Sequence, residues 1–103
     1  AYARDPAETV KIRHLIAAVE TLEGAQFLRN GRAYDATAAA EHLRLKLKTA
    51  GDRVKTAGDF IRICGSSSSL SGEKYRIRFA DGRTVDAEVY FRNILEAFPA
   101  DKP

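Results

Sequence analysis

The sequence predicts an α+β fold: a small helical bundle, two longer helices and two short ones, packed on one face of a two-stranded antiparallel β-hairpin. Three observations carry this expectation. Apolar residues recur at helical spacing after the strings Asp5-Pro6-Ala7-Glu8 and Asp35-Ala36-Thr37-Ala38. Lys74 to Phe79 alternates strictly between charged and apolar side chains, the period of a strand with one covered face. Asp81-Gly82 then supplies a hairpin turn before a second alternating run from Thr84 to Glu88.

The first helix is expected from about Pro6 to Glu23. Asp5 caps it, Pro6 fits its first position, Glu8 stands where a capping box places its carboxylate, and Ile12, Leu15, Ile16, Val19 and Leu22 form one face. Gly24 suits a left-handed stop. Asn30-Gly31 reads as a turn, with Phe27 and Leu28 anchoring the segment before it. Asp35 caps a second helix reaching Ala50, whose buried stripe is light: Ala36, Ala39, Ala40, Leu43, Leu47 and Ala50. Thr56-Ala57-Gly58-Asp59 is a second capping-box string, opening a short helix with Phe60, Ile61 and Cys64 on one side and Gly65 at its end.

In the hairpin, a three-residue loop Ala80-Asp81-Gly82 sets Ile77 against Val85 and Arg76 against Asp86, and would continue with Tyr75 against Ala87 and Lys74 against Glu88. The inner residues are then Tyr75, Ile77, Phe79, Val85, Ala87 and Val89. Phe91, Ile94, Leu95 and Phe98 give a short last helix closed by Pro99.

The 103 residues suit one domain, with 1–5 and 99–103 as frayed ends. An apolar fraction of 45% and a charged fraction of 30% point to a globular chain. The net charge of +3 comes from residues 31–62, where seven basic side chains meet four acidic ones. That bias around Arg44, Lys46, Lys48, Arg53 and Lys55 fits a solvated helix face, and without a nucleic-acid signature no nucleic-acid partner is expected. No run of about 18 apolar residues suggests a transmembrane helix. The single Cys64 permits no internal disulfide, and an exposed Cys64 or apolar patch would be the route to a dimer; a monomer is the expectation. Ala1-Tyr2-Ala3 has the pattern that ends a signal peptide.

Taken jointly, Phe27, Arg29-Asn30-Gly31, Ala40, His42-Leu43, Lys46, Asp59-Phe60-Ile61, Ser66, Ser68-Ser69, Ser71-Gly72 and Tyr75 resemble the domain of unknown function 5329 family, small proteins of Gram-negative bacteria that mostly carry export signals. The chain departs from the family pattern at Tyr90-Phe91, where a tryptophan is expected, and at Cys64, where alanine or serine is expected. The resemblance implies a periplasmic or secreted location after signal-peptide removal, and no particular reaction.

The candidate chemistry centres on the serine run. A nucleophilic serine requires a positioned base and a group orienting that base. His14 and His42 are the histidines available, and no G-x-S-x-G elbow is present. Ser-rich backbone before a strand also suits an ordered connector, or a rim that holds an anion or a peptide end. Arg29 reads either as a partner for a carboxylate of the chain or as a fork for a bound anion. The leading expectation is a non-enzymatic binding or interaction module with a surface built from Arg29, Asn30, His42, Lys46, Ser66, Ser68, Ser69, Ser71 and Tyr75. Its partner would be an envelope protein or a small anionic or peptide ligand, with no cofactor and no metal. The alternative is a hydrolase or transferase acting on an envelope component through the serine loop and His42.

Overall fold

A computed structural model describes residues 4–68 and 70–98. Ala1-Tyr2-Ala3, Ser69 and the 99–103 tail, including the expected stop at Pro99, lie outside the described residues. The elements in order are α1 (Pro6–Glu20), β1 (Gln26–Arg29), β2 (Arg32–Tyr34), α2 (Ala36–Ala50), a 3₁₀ turn (Gly51–Arg53), α3 (Ala57–Phe60), a π turn (Ile61–Gly65), β3 (Arg76–Arg78), β4 (Thr84–Asp86) and α4 (Ala87–Ala97).

The α+β class stands, but the sheet has four strands rather than two, in the order β2-β1-β3-β4 with every neighbouring pair antiparallel. The Asn30-Gly31 turn is a hairpin in its own right. Both residues take positive φ (51° and 77°), and Arg29 pairs with Arg32 directly across them. β1 then pairs with β3, covering an edge that a lone two-stranded ribbon would leave open. Tyr34, Phe27, Ile77 and Val85 therefore form one cross-strand row. Ile77 on that row is fully buried.

The predicted register of β3 with β4 is observed: Ile77 faces Val85 and Arg76 faces Asp86. The loop is the three-residue one, closed by the Phe79 N–H on the Arg83 carbonyl at 2.8 Å, with Gly82 at φ 92°. The strands stop earlier than expected. Asp86 precedes α4 directly, so Ala87 begins a helix, although its N–H still reaches the Tyr75 carbonyl at 2.9 Å. The Lys74–Glu88 pair does not form. Lys74 approaches Asp86 at 3.8 Å, and Glu88 holds Arg92 one helical turn on. Val89, placed on the inner face by strand alternation, is about half exposed because helical spacing turns it outward.

α1 ends at Glu20, three residues short of the expected stop. The Thr21 hydroxyl and N–H both donate to the Ala17 carbonyl, and the chain turns away through Gly24 at φ 73°. Asp5 caps as expected, but Glu8 does not close a capping box on its own helix. Its carboxylate accepts from the Ala57 N–H at 2.9 Å and from Lys11 at 3.1 Å, so it serves the start of α3 instead. α2 follows its predicted bounds, with Asp35 accepting from the Ala38 N–H at 2.8 Å. The Thr56/Asp59 capping box is present. Gly65 is buried for a different reason from a helix stop: a β-carbon there would lie 2.9 Å from the Phe91 ring.

The core fills the space between the sheet and the helices, with Ile12, Leu15, Val19, Ala40, Val54, Phe60, Ile61, Cys64, Ile77 and Phe91 all essentially excluded from solvent. Small residues on α2 match its close contact with α1. The other side of the sheet carries exposed Gln26, Arg76, Arg78 and Thr84.

Candidate binding site

Strand alternation places Arg29 on the same face as Phe27, the face covered by helices. Arg29 is the last residue of β1, so its guanidinium lies at the end of the covered face rather than deep in the core. Opposite, α2 presents Ala39, His42, Leu43 and Lys46, which share one side of a helix by their spacing of three and four. Between them is a cavity of about 50 Å³. Its floor is apolar, from Val19, Phe27, Leu43, Ile77, Ala87 and Phe91 with the bare backbone of Gly65. Arg29, Tyr34, His42, Lys46 and Tyr75 are the polar residues that border it on the covered side, the Arg76 side chain being on the exposed face of the sheet, and no carboxylate lines it.

These polar groups are unequally occupied. Lys46 Nζ donates to the Ser67 carbonyl at 3.1 Å and to the Tyr75 hydroxyl at 2.8 Å, and sits 4.8 Å from the centre of the same ring. His42 stacks edge-on against Tyr34, their ring centres 4.8 Å apart. On the exposed face, Arg76 approaches Asp86 at 3.7 Å. Arg29 Nε is buried and has no hydrogen-bond partner. An orphaned donor of this kind is uncommon in folded proteins and carries the full cost of its lost hydration. The expected pairing of Arg29 with a carboxylate of the chain does not occur among the described residues.

Beside the cavity, Ser66, Ser67, Ser68 and Ser71 belong to a hydrogen-bonded connector. Ser68 is buried, and its hydroxyl accepts from the Leu70 N–H (3.2 Å), the Ser71 N–H (3.4 Å) and Asn30 Nδ2 (3.2 Å). The Ser71 hydroxyl donates to Asn30 Oδ1 at 2.6 Å. A bridge between Ser67 and Lys74, and the Ser68 N–H on the Glu73 carbonyl at 2.9 Å, close the loop on itself. Ser66 turns the other way and donates to the Ile61 carbonyl at 2.6 Å, finishing the π turn.

The residues singled out in the sequence thus divide. Arg29, His42, Lys46 and Tyr75 meet at the cavity; Asn30, Ser68 and Ser71 form a hydrogen-bonded knot next to it; Ser66 is a helix-end group; Ser69 lies outside the described residues. Sequence reading missed Tyr34 as a lining residue. Recognising β1 and β2 as strands would have found Tyr34, since it faces Phe27 across the hairpin. The hydroxyls of Ser66, Ser68 and Ser71 are engaged by backbone or Asn30 partners and none is bonded to His42, which gives the catalytic alternative no support. Cys64 is fully enclosed, so it offers no thiol for a disulfide with a second copy, and burial raises its pKa.

Residues 6–99 match the family of unknown function DUF5329. The chain belongs to that family. It is also similar to the uncharacterized protein YfeK of Salmonella typhimurium strain LT2, with 32% identity over 68 residues, 66% of this chain and 57% of the relative. The chain therefore spans little more than half the length of that curated relative. No solved structure matches it. The family assignment agrees with the resemblance drawn from the Arg29-Asn30-Gly31 and serine-loop strings, two segments that the fold ties together through Asn30, Ser68 and Ser71. No helix among the described residues is long and apolar enough to cross a membrane.

Proposed function

We propose that this chain is a periplasmic, monomeric binding module of one domain that holds a small anionic or peptide ligand in the cleft between the covered face of the sheet and α2. The single observation that carries the reading is Arg29: a buried guanidinium nitrogen without a partner, at a cavity bordered also by Lys46 and His42 and by no acid. A permanently charged, planar fork held in that state is suited to an anion arriving from outside. Lys46 supports the reading by fixing the serine connector and the Tyr75 ring at the rim while adding positive field. The exported location rests on the family resemblance, and recovery of the full-length protein in the osmotic-shock fraction of Gram-negative cells is the expected result.

For binding, titration of the ¹⁵N-labelled chain with small carboxylates and inorganic phosphate should shift the amides of Arg29, Leu43 and Gly65. Arg29→Gln should weaken that binding at least tenfold, about 1.4 kcal/mol. A variant that binds as tightly as the parent chain would overturn the assignment.

A further inference from the structure

Resting on the anion-binding reading, we infer that the ligand is a monocarboxylate with a short aliphatic tail, its head on Arg29 and its tail in the apolar floor of the cleft. The head is set by hydrogen bonding. Of the cationic side chains on the covered side of the cleft, Lys46 already donates to the Ser67 carbonyl and the Tyr75 hydroxyl, whereas Arg29 Nε has no partner. A guanidinium edge offers two parallel N–H groups in the geometry of a carboxylate. A phosphate dianion would enter the same site with a second charge to desolvate.

Space limits the tail. The floor beneath Arg29 is made by Phe27, Leu43, Ile77 and Phe91, so whatever follows the carboxylate inward must be apolar. The cavity of about 50 Å³ is a third the size of the ~150 Å³ dry cavity that accepts benzene. It takes a chain of a few carbons, not a ring. Gly65 sets this limit from below, because the Phe91 ring packs directly on its backbone, where a β-carbon would lie 2.9 Å from the ring, and so closes the floor.

Such a head and tail occur in short fatty acids and in the C-terminal residue of a peptide ending in an aliphatic amino acid. Both present a carboxylate next to a few apolar carbons, and the same titration separates them. The ¹⁵N-labelled chain is titrated with acetate, butyrate, hexanoate, butanamide, inorganic phosphate, N-acetylvaline and N-acetylvaline amide. Affinity should rise about fourfold per methylene from acetate to butyrate, at ~0.8 kcal/mol for each CH₂, and flatten by hexanoate as the cavity fills. Butanamide, phosphate and the valine amide should bind at least tenfold more weakly than butyrate. N-acetylvaline binding more tightly than butyrate identifies a peptide terminus, and the reverse order a free acid.

Two variants separate head from tail. Arg29→Lys keeps the charge but not the fork and should weaken all the acids. Ala39→Val narrows the cavity and should weaken butyrate while sparing acetate. Equal affinity for acetate, butyrate and hexanoate, or phosphate binding more tightly than butyrate with loss in Arg29→Gln, overturns the tailed-carboxylate inference and leaves the anion site standing. No response of the cleft amides to any acid or to phosphate overturns both.

Discussion

Arg29 and Asn30 are adjacent in the chain and have opposite fates. Asn30 uses its side-chain amide in full view of solvent, donating to Ser68 and accepting from Ser71 across 38 and 41 residues. Arg29 is turned beneath the sheet and leaves a buried nitrogen with nothing to hold. Both belong to the same short string: strand alternation turns Arg29 to the covered face, and the positive φ of the hairpin turn carries Asn30 out of the strand. The difference teaches how to sort polar residues that look equally suggestive in sequence. Where side chains answer one another within the chain, as Asn30, Ser68 and Ser71 do, the residues explain the shape. Where one is left unanswered in a cavity, the residue points beyond the chain.

Three measurements would break or sharpen this contrast. The largest effect is expected in the knot. Asn30→Ala removes both side-chain bonds and forces alanine into positive φ, and Ser68→Val strips the acceptor from three donors; each should destabilise by about 2–3 kcal/mol in denaturant unfolding. A loss below ~0.5 kcal/mol would remove the structural role assigned to the knot.

A smaller effect is expected at Glu8, the polar group that joins α1 to α3. Its hydrogen bonds from the Ala57 N–H and then Lys11 hold its pKa below the ordinary carboxylate value. A depressed folded-state pKa means the proton binds better to the unfolded chain, so the contribution is complete above the unfolded pKa and is lost as pH falls through the folded one. Glu8→Gln should cost about 1 kcal/mol at neutral pH and flatten the acid limb of the stability–pH curve. An unchanged acid limb would show that Glu8 plays no such part.

The smallest effect has the opposite sign. Arg29→Met replaces an unanswered buried donor by an apolar side chain of similar length, and should raise stability by about 0.5–1 kcal/mol, a few degrees in Tm. A destabilised Arg29→Met would mean that the guanidinium is answered within the fold after all.

What the sequence disclosed follows from distance along the chain. The Asp5, Asp35 and Thr56/Asp59 caps, the Asn30-Gly31 turn and the three-residue loop of the last hairpin are local devices, each written in two to six consecutive residues, and all are present. β1 and β2 were illegible because no alternating run extends beyond their four and three residues, as it does around β3 and β4. Their identity as strands depends on β3, some fifty residues away. That one omission also hid the inward direction of Arg29 and the place of Tyr34 at the cavity. Glu8 shows the same limit from another side: its position in a capping string was readable, but its partner lies 49 residues on. Four of the candidate residues border one cavity and three more form the knot beside it. Which of them share a cavity could be seen only once the sheet was assembled.

The enclosure of Cys64 equips the molecule with its own stopwatch. The thiol sits on the π turn with no exposed surface, so an alkylating reagent meets it only when that segment separates from its neighbours. The labelling rate therefore counts spontaneous openings of the π turn. A ligand seated against Gly65, the very next residue, should slow that count in proportion to the fraction of molecules it occupies.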